Sequence, residues 1–310
     1  MNGDARTIPI AIGAIFVIGA LFLLDAVSGI GYTALVAGIG LGLAVPAVLI
    51  ARRSGLDLAW FRGSIDLVDL AVIVGTYGVV VGGFLLAFTF FTTANVLGLF
   101  LSFGAALLVG TVGPIAYTVW GRHRSLASLG IGLGDWRMTS ALALVFAGVQ
   151  FGLTLARLDW PVAETWLPLL VMALTVGLFE AIFFRGFIQN RLEAAFGLVP
   201  ALAVAAALYG LYHVGYGMGW AEIGFLAGLG IVYAVAFRVV GSILVLWPLL
   251  TPLGSLFNQV QAGDIVLPLE SILGFADVLG LMLAAIWFAR RWERRHPAPS
   301  IRHELSGAQV

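Results

Sequence analysis

Glu180 and Arg185 lie inside an otherwise apolar stretch that runs from Leu178 to Phe196. An ionisable side chain at membrane depth is costly, so its presence there points first to function. A carboxylate in such surroundings is suited to act as general base or acid, or to ligate a metal. The plainer role for Glu180 is an interhelical hydrogen bond. Arg185 follows at i+5, off the α-helical face that i and i+4 share, and the residue at i−4 from it is Ala181. Three fates are open to this arginine: an imperfect pair with Glu180, a partner on another helix, or snorkelling to the inner surface.

Further along, His213 is the one histidine within an apolar span, with Tyr209 one turn before it; His123, His296 and His303 sit in polar segments. An imidazole on that face is either a satisfied core residue or the partner of Glu180. Asn258 ends a later apolar run that also holds Pro248 and Pro252. It is either a helix cap or interhelical hydrogen bonder, or part of a site where a proline-broken helix lines a cavity. Asp69 and Asp277 fall near span ends and are expected at the interface.

These residues need a membrane scaffold, and the composition supplies one. Of 310 residues 61% are hydrophobic and 10% charged, against about 25% charge in an ordinary soluble domain. The fold class expected is all-α, a polytopic transmembrane helix bundle, because apolar runs near the roughly 20 residues needed to cross a bilayer recur throughout. About ten spans are expected, near residues 8–24, 32–50, 67–91, 96–120, 138–156, 166–185 or beyond, 199–216, 223–239, 243–258 and 272–289. The first shows no cleavage pattern and is expected to persist in the mature protein. All 16 basic residues are arginine. With the N-terminus inside, every one except Arg157 falls on the inner side, which places both termini in the cytoplasm and the protein in the cell membrane. There is no cysteine, hence no disulfide or thiolate site, and a formal net charge of zero gives no footprint for nucleic acid. The organisation expected is an N-terminal group of about four spans with a basic loop over 1–124, a core of about six spans over 125–290, and a charged tail over 291–310.

Three segments, taken in order, resemble the CPBP intramembrane proteases, the family of type II CAAX prenyl proteases, bacteriocin-processing and abortive-infection-like proteins. Glu180 to Gly186, with Gln189 and Leu192, is similar to its EExxxR motif. Tyr209 to His213 is similar to its FxxxH motif, and Gly241-Ser242 with the apolar run to Asn258 to its third region, which normally ends HxxxN. Ser125 to Gly130 resembles the segment that often precedes this core. The resemblance implies a site inside the membrane with Glu180 as base, His213 as its partner and Asn258 as oxyanion donor, Arg185 and Tyr209 supporting them. In the metalloprotease form it implies a divalent metal such as zinc, with Glu180 and His213 as candidate ligands. Two positions depart from the pattern. Ala181 replaces the second glutamate, and the third-region histidine is Gly254, or Leu250 in the other register.

The function implied is endoproteolysis of a membrane-associated or prenylated peptide by water activated at Glu180 and His213, with membrane lipid and the peptide as partners. The rivals are a catalytically impaired relative that binds a peptide as scaffold or immunity-type protein, and a permease using the proline-broken helix. The hydrolase requires Glu180 and His213 to meet. For that, the sixth helix must continue in the membrane toward Arg191 and Glu193, because a helix ending at Arg185 would leave them roughly 15 Å apart in depth.

Overall fold

The structure is a computed structural model and describes residues 65–91, 95–155, 163–247 and 269–296. The first two expected spans, the run from Pro248 to Asn258 with Leu250 and Gly254, and the tail beyond 296 lie outside the described residues. All regular structure among the described residues is helical: α1 (Leu67–Phe90), α2 (Val96–Ala116), α3 (Trp136–Leu155), α4 (Ala163–Glu180), α5 (Asn190–Phe196), α6 (Leu198–Leu211), α7 (Trp220–Val240) and α8 (Ser271–Arg295). A π-helical stretch, Ala181–Gln189, joins α4 to α5, and another, Tyr117–Gly121, ends α2. Three short 3-10 segments, Leu126–Leu129, Tyr212–Tyr216 and Ile243–Val245, complete the set.

Six helical runs among the described residues are long and apolar enough to cross a membrane: Leu67–Phe90, Leu97–Gly121, Leu167–Phe196, Leu198–Tyr216, Glu222–Val240 and Ser271–Arg295. They mark an integral membrane protein. Their positions coincide with six of the expected spans, whereas the expected total of ten is not reached among the described residues. The helix α3 stands where the fifth span was expected but is not one of the six. At the start of the expected ninth span, the chain forms the 3-10 turn Ile243–Val245. The sixth span does run on past Arg185, to Phe196.

Local chemistry sets the ends of these helices. Asp66 caps α1 by accepting from the Val68 and Asp69 backbone N–H groups at 3.0 and 3.2 Å, satisfying donors that the first turn leaves open. Asn95 does the same for α2 through Gly98 N–H at 3.0 Å. Gly241 closes α7 with φ +67°, a left-handed conformation that glycine adopts without steric penalty.

The bundle is built around the α4–π–α5 run. Every residue from Ala181 to Gln189 is buried. The α2, α6 and α7 helices and the 3-10 segment Leu126–Leu129 all pack on this π stretch, α8 packs on α4 and α2, and α1 lies along α2. Gly186 makes one of these contacts feasible, since any Cβ there would collide with the Leu129 carbonyl oxygen. Phe179, Phe183, Phe184 and Phe187 fill the centre together with Phe84 of α1. Some of their rings meet edge-on, as Phe84 and Phe179 do at 5.9 Å, and others stack, as Phe179 and Phe183 do at 5.5 Å between centroids.

Candidate active site

The sixth span brings Glu180 to the centre of the bundle, 4% exposed. Its two carboxylate oxygens are held by two tyrosines from the α6 side. Tyr212 Oη donates to Oε1, and Tyr209 Oη donates to Oε2 at 3.3 Å. Tyr209 ends the buried face of α6, and Tyr212 opens the 3-10 turn that follows. That tighter turn carries Tyr212 round toward Glu180.

His213, 7% exposed, is next in the same turn. Its Nδ1 lies 2.9 Å from the Tyr209 carbonyl oxygen, one helical turn back. With the proton on Nδ1, donated to that carbonyl, Nε2 is the nitrogen left to accept. The imidazole packs on Tyr212 at 4.0 Å and on Tyr209 at 5.3 Å between ring centroids. Glu180 and His213 therefore occupy one cluster and share two tyrosine neighbours, with no direct hydrogen bond between them. Asn258 lies outside the described residues.

Arg185 resolves the three options left by the sequence. It is 1% exposed, so it does not snorkel. It forms no ion pair with Glu180 among the described residues. Instead its guanidinium lies over the Tyr209 ring of α6, 4.9 Å from the centroid. Both of its terminal nitrogens, Nη1 and Nη2, are buried without a hydrogen-bond partner. The face argument that separated i from i+5 assumes α geometry. The chain is π-helical from Ala181 to Gln189, where hydrogen bonds run over five residues, and that register shifts the faces. Such rewinding is frequent at functional sites.

Two sets of contacts went unstated in the sequence reading. Tyr212 carries a main contact to Glu180, and the spacing of Tyr209, Tyr212 and Tyr216 at i, i+3 and i+7 marks one helical face that could have signalled it. Asp69 stands near a span end as expected, in the first turn of α1, but it is 6% exposed. Arg122, Arg124 and Arg191 lie within 3.6 to 3.7 Å of it, and Tyr117 Oη donates to it at 2.6 Å. No local pattern announces that cluster, because its members come from three elements.

A metal centre would need more donors than this cluster supplies. A catalytic zinc takes three protein ligands and a water. Among the described residues no three His, Cys, Asp or Glu side chains come together. Glu180 and His213 supply two, and both Glu180 oxygens are already engaged by phenols. The described residues do not fit a metal centre, and no step below passes through one.

Comparison with protein families matches residues 162–249 to Type II CAAX prenyl endopeptidase Rce1-like. No curated protein and no solved structure matches the chain. The matched segment contains Glu180, Arg185, Tyr209, Tyr212 and His213. It begins at α4 and ends just past the turn after α7. Residues 162–249 of this integral membrane protein are thus a domain of the Rce1-like CAAX protease family.

Proposed function

We propose that the cluster around Glu180 is the site at which this protein hydrolyses a prenylated or otherwise membrane-associated peptide. The observation that carries this is a buried carboxylate with no ion pair among the described residues, in one aromatic cluster with an imidazole whose Nδ1 is anchored to the backbone. In the reaction, Glu180 takes a proton from water as its oxygen adds to the scissile carbonyl carbon. The C–N bond then breaks, and the proton passes to the leaving amine, with His213 Nε2 as carrier. Tyr212 and Tyr209 orient the carboxylate. Asn258 is assigned to the oxyanion on the motif resemblance alone. The distribution of arginines supports a cell-membrane location with both termini inside, which a cytoplasmic reporter fused after Val310 would register.

The test is cleavage of a farnesylated CAAX peptide by the full chain in lipid nanodiscs, read by mass spectrometry. Glu180→Gln should abolish turnover, and His213→Ala should lower it by roughly 10²- to 10⁴-fold. Cleavage that survives both substitutions would remove the proposal.

One observation favours a second reading. Both Glu180 oxygens are occupied by tyrosine hydroxyls, as in a structural interhelical hydrogen bond. On that reading the protein binds the peptide without cutting it, and wild-type protein would retain the peptide intact.

A further inference from the structure

Away from Glu180, a cavity of about 570 Å³ opens among the ends of three spans. Arg124, Arg191, Glu193 and Arg238 line it, with Ser128 and Asn190 at its wall. Arg124 follows the end of Leu97–Gly121, Arg191 and Glu193 lie in the last turns of Leu167–Phe196, and Arg238 is in the last turn of Glu222–Val240. Trp120 at the end of the second of the six runs' chain order, and Trp136 opening α3, are exposed near the same loops. Tryptophans in such places mark headgroup depth.

The cavity lining is mainly cationic. Arg124, Arg191 and Arg238 line it with a single carboxylate, Glu193, while Asp69, which Arg124 and Arg191 approach to 3.7 Å, and Glu293, which accepts from Leu126 N–H, are not part of the lining. Arg238 is closely paired, Nε to Glu193 Oε1 at 2.8 Å. Arg191 is not. It is 5% exposed, its Nη2 donates to Thr118 Oγ1 at 2.9 Å, and its Nε has no hydrogen-bond partner and lies 3.7 Å from Asp69 Oδ2. A buried donor left open at the wall of a cavity lined by three guanidiniums and one carboxylate is suited to an anion.

We propose that this cavity binds the phosphodiester headgroup of an anionic lipid. A phosphodiester brings one negative charge to this mainly cationic lining, and unbridged oxygens that suit guanidinium donors. Basic pockets between membrane helices recognise headgroups in this way. The position at span ends favours a lipid over a soluble phosphate, which would also carry close to two charges. The proposal is independent of any peptidase activity.

The experiment is native mass spectrometry of the full chain, delipidated in neutral detergent and titrated with phosphatidylglycerol or phosphatidylcholine. Wild-type protein should retain a single phosphatidylglycerol in preference to phosphatidylcholine. Arg124→Gln with Arg238→Gln should weaken that preference roughly thirty-fold, about a factor of five per arginine. Glu193→Gln frees Arg238 and should strengthen it about five-fold, a gain that misfolding would not produce. Equal retention of the two lipids, or an unchanged preference in the double variant, would overturn the proposal. So would displacement of the lipid by equimolar inorganic phosphate, which would assign the site to free phosphate, or by an equimolar acidic peptide, which would assign it to a protein partner.

Discussion

Tyr212→Phe removes one oxygen atom and leaves the ring in place against Phe184 at 4.8 Å, Phe84 at 5.9 Å and Phe179 at 6.1 Å. The loss is confined to the donor on Glu180 Oε1. At 4% exposure, Glu180 has little access to solvent to replace it. A hydrogen bond to a charged group contributes roughly 1.5–3 kcal/mol, and leaving its partner buried and unsatisfied makes the upper half of that range the expected cost. Tyr209→Phe is the internal comparison. Its hydroxyl reaches Oε2 at 3.3 Å, beyond the usual range for O–H···O bonds, and its ring can still support Arg185. Its cost is expected below about 1 kcal/mol. In thermal unfolding of the purified protein in detergent, Tyr212→Phe should therefore lower Tm by on the order of 5 °C, and Tyr209→Phe by much less. Equal effects, or a larger effect at Tyr209, would show that Tyr212 is not the principal anchor of Glu180 and would undo the account of the site.

Gly186→Ala should destabilise by about 1–3 kcal/mol, because the added methyl enters the Leu129 carbonyl. Gly228→Ala, with no atom within 4 Å of the new Cβ, should stabilise by roughly 0.5–1 kcal/mol, and matched melting curves would separate the two. Zinc analysis of the purified chain should find well below one ion per molecule, since Glu180 and His213 fall short of a three-ligand set. Asp66 is held below its ordinary carboxylate range, first by the Asp69 backbone N–H and then by Val68 N–H and Arg122. Its cap on α1 should thus be fully present above about pH 4 and lost as acidity passes below its folded-state value. Asp66→Asn should flatten that acid limb in a pH series of unfolding curves.

Much of this site could be read from residue types. Glu180 stood out because an acid in an apolar run has no inexpensive explanation, and Tyr209 with His213 showed a one-turn spacing that the Nδ1-to-carbonyl contact reproduces. The span positions followed from hydropathy, which depends on composition over about 20 residues and tolerates errors at single positions. Three features escaped for physical reasons. The π stretch Ala181–Gln189 depends on how neighbouring helices pack, and residue propensities do not encode it. The fate of Arg185 hung on that rewinding and on the ring presented by α6. Asp69 resembled an interfacial acid because its partners, Arg122, Arg124 and Arg191, arrive from elements up to more than a hundred residues away.

The central run Leu167–Phe196 has 30 residues. As uninterrupted α-helix it would extend about 45 Å, against about 30 Å of hydrocarbon. A lipid-facing helix of that length must tilt strongly or thicken the bilayer around it. This one is the most deeply buried of the six runs, so protein, and not acyl chain, surrounds its excess length. A change in bilayer thickness would be felt first by the least buried runs, Leu67–Phe90 and Ser271–Arg295. Hydrophobic mismatch would then be absorbed at the rim of the bundle, leaving Glu180 and its tyrosines at a constant depth relative to the protein that encloses them.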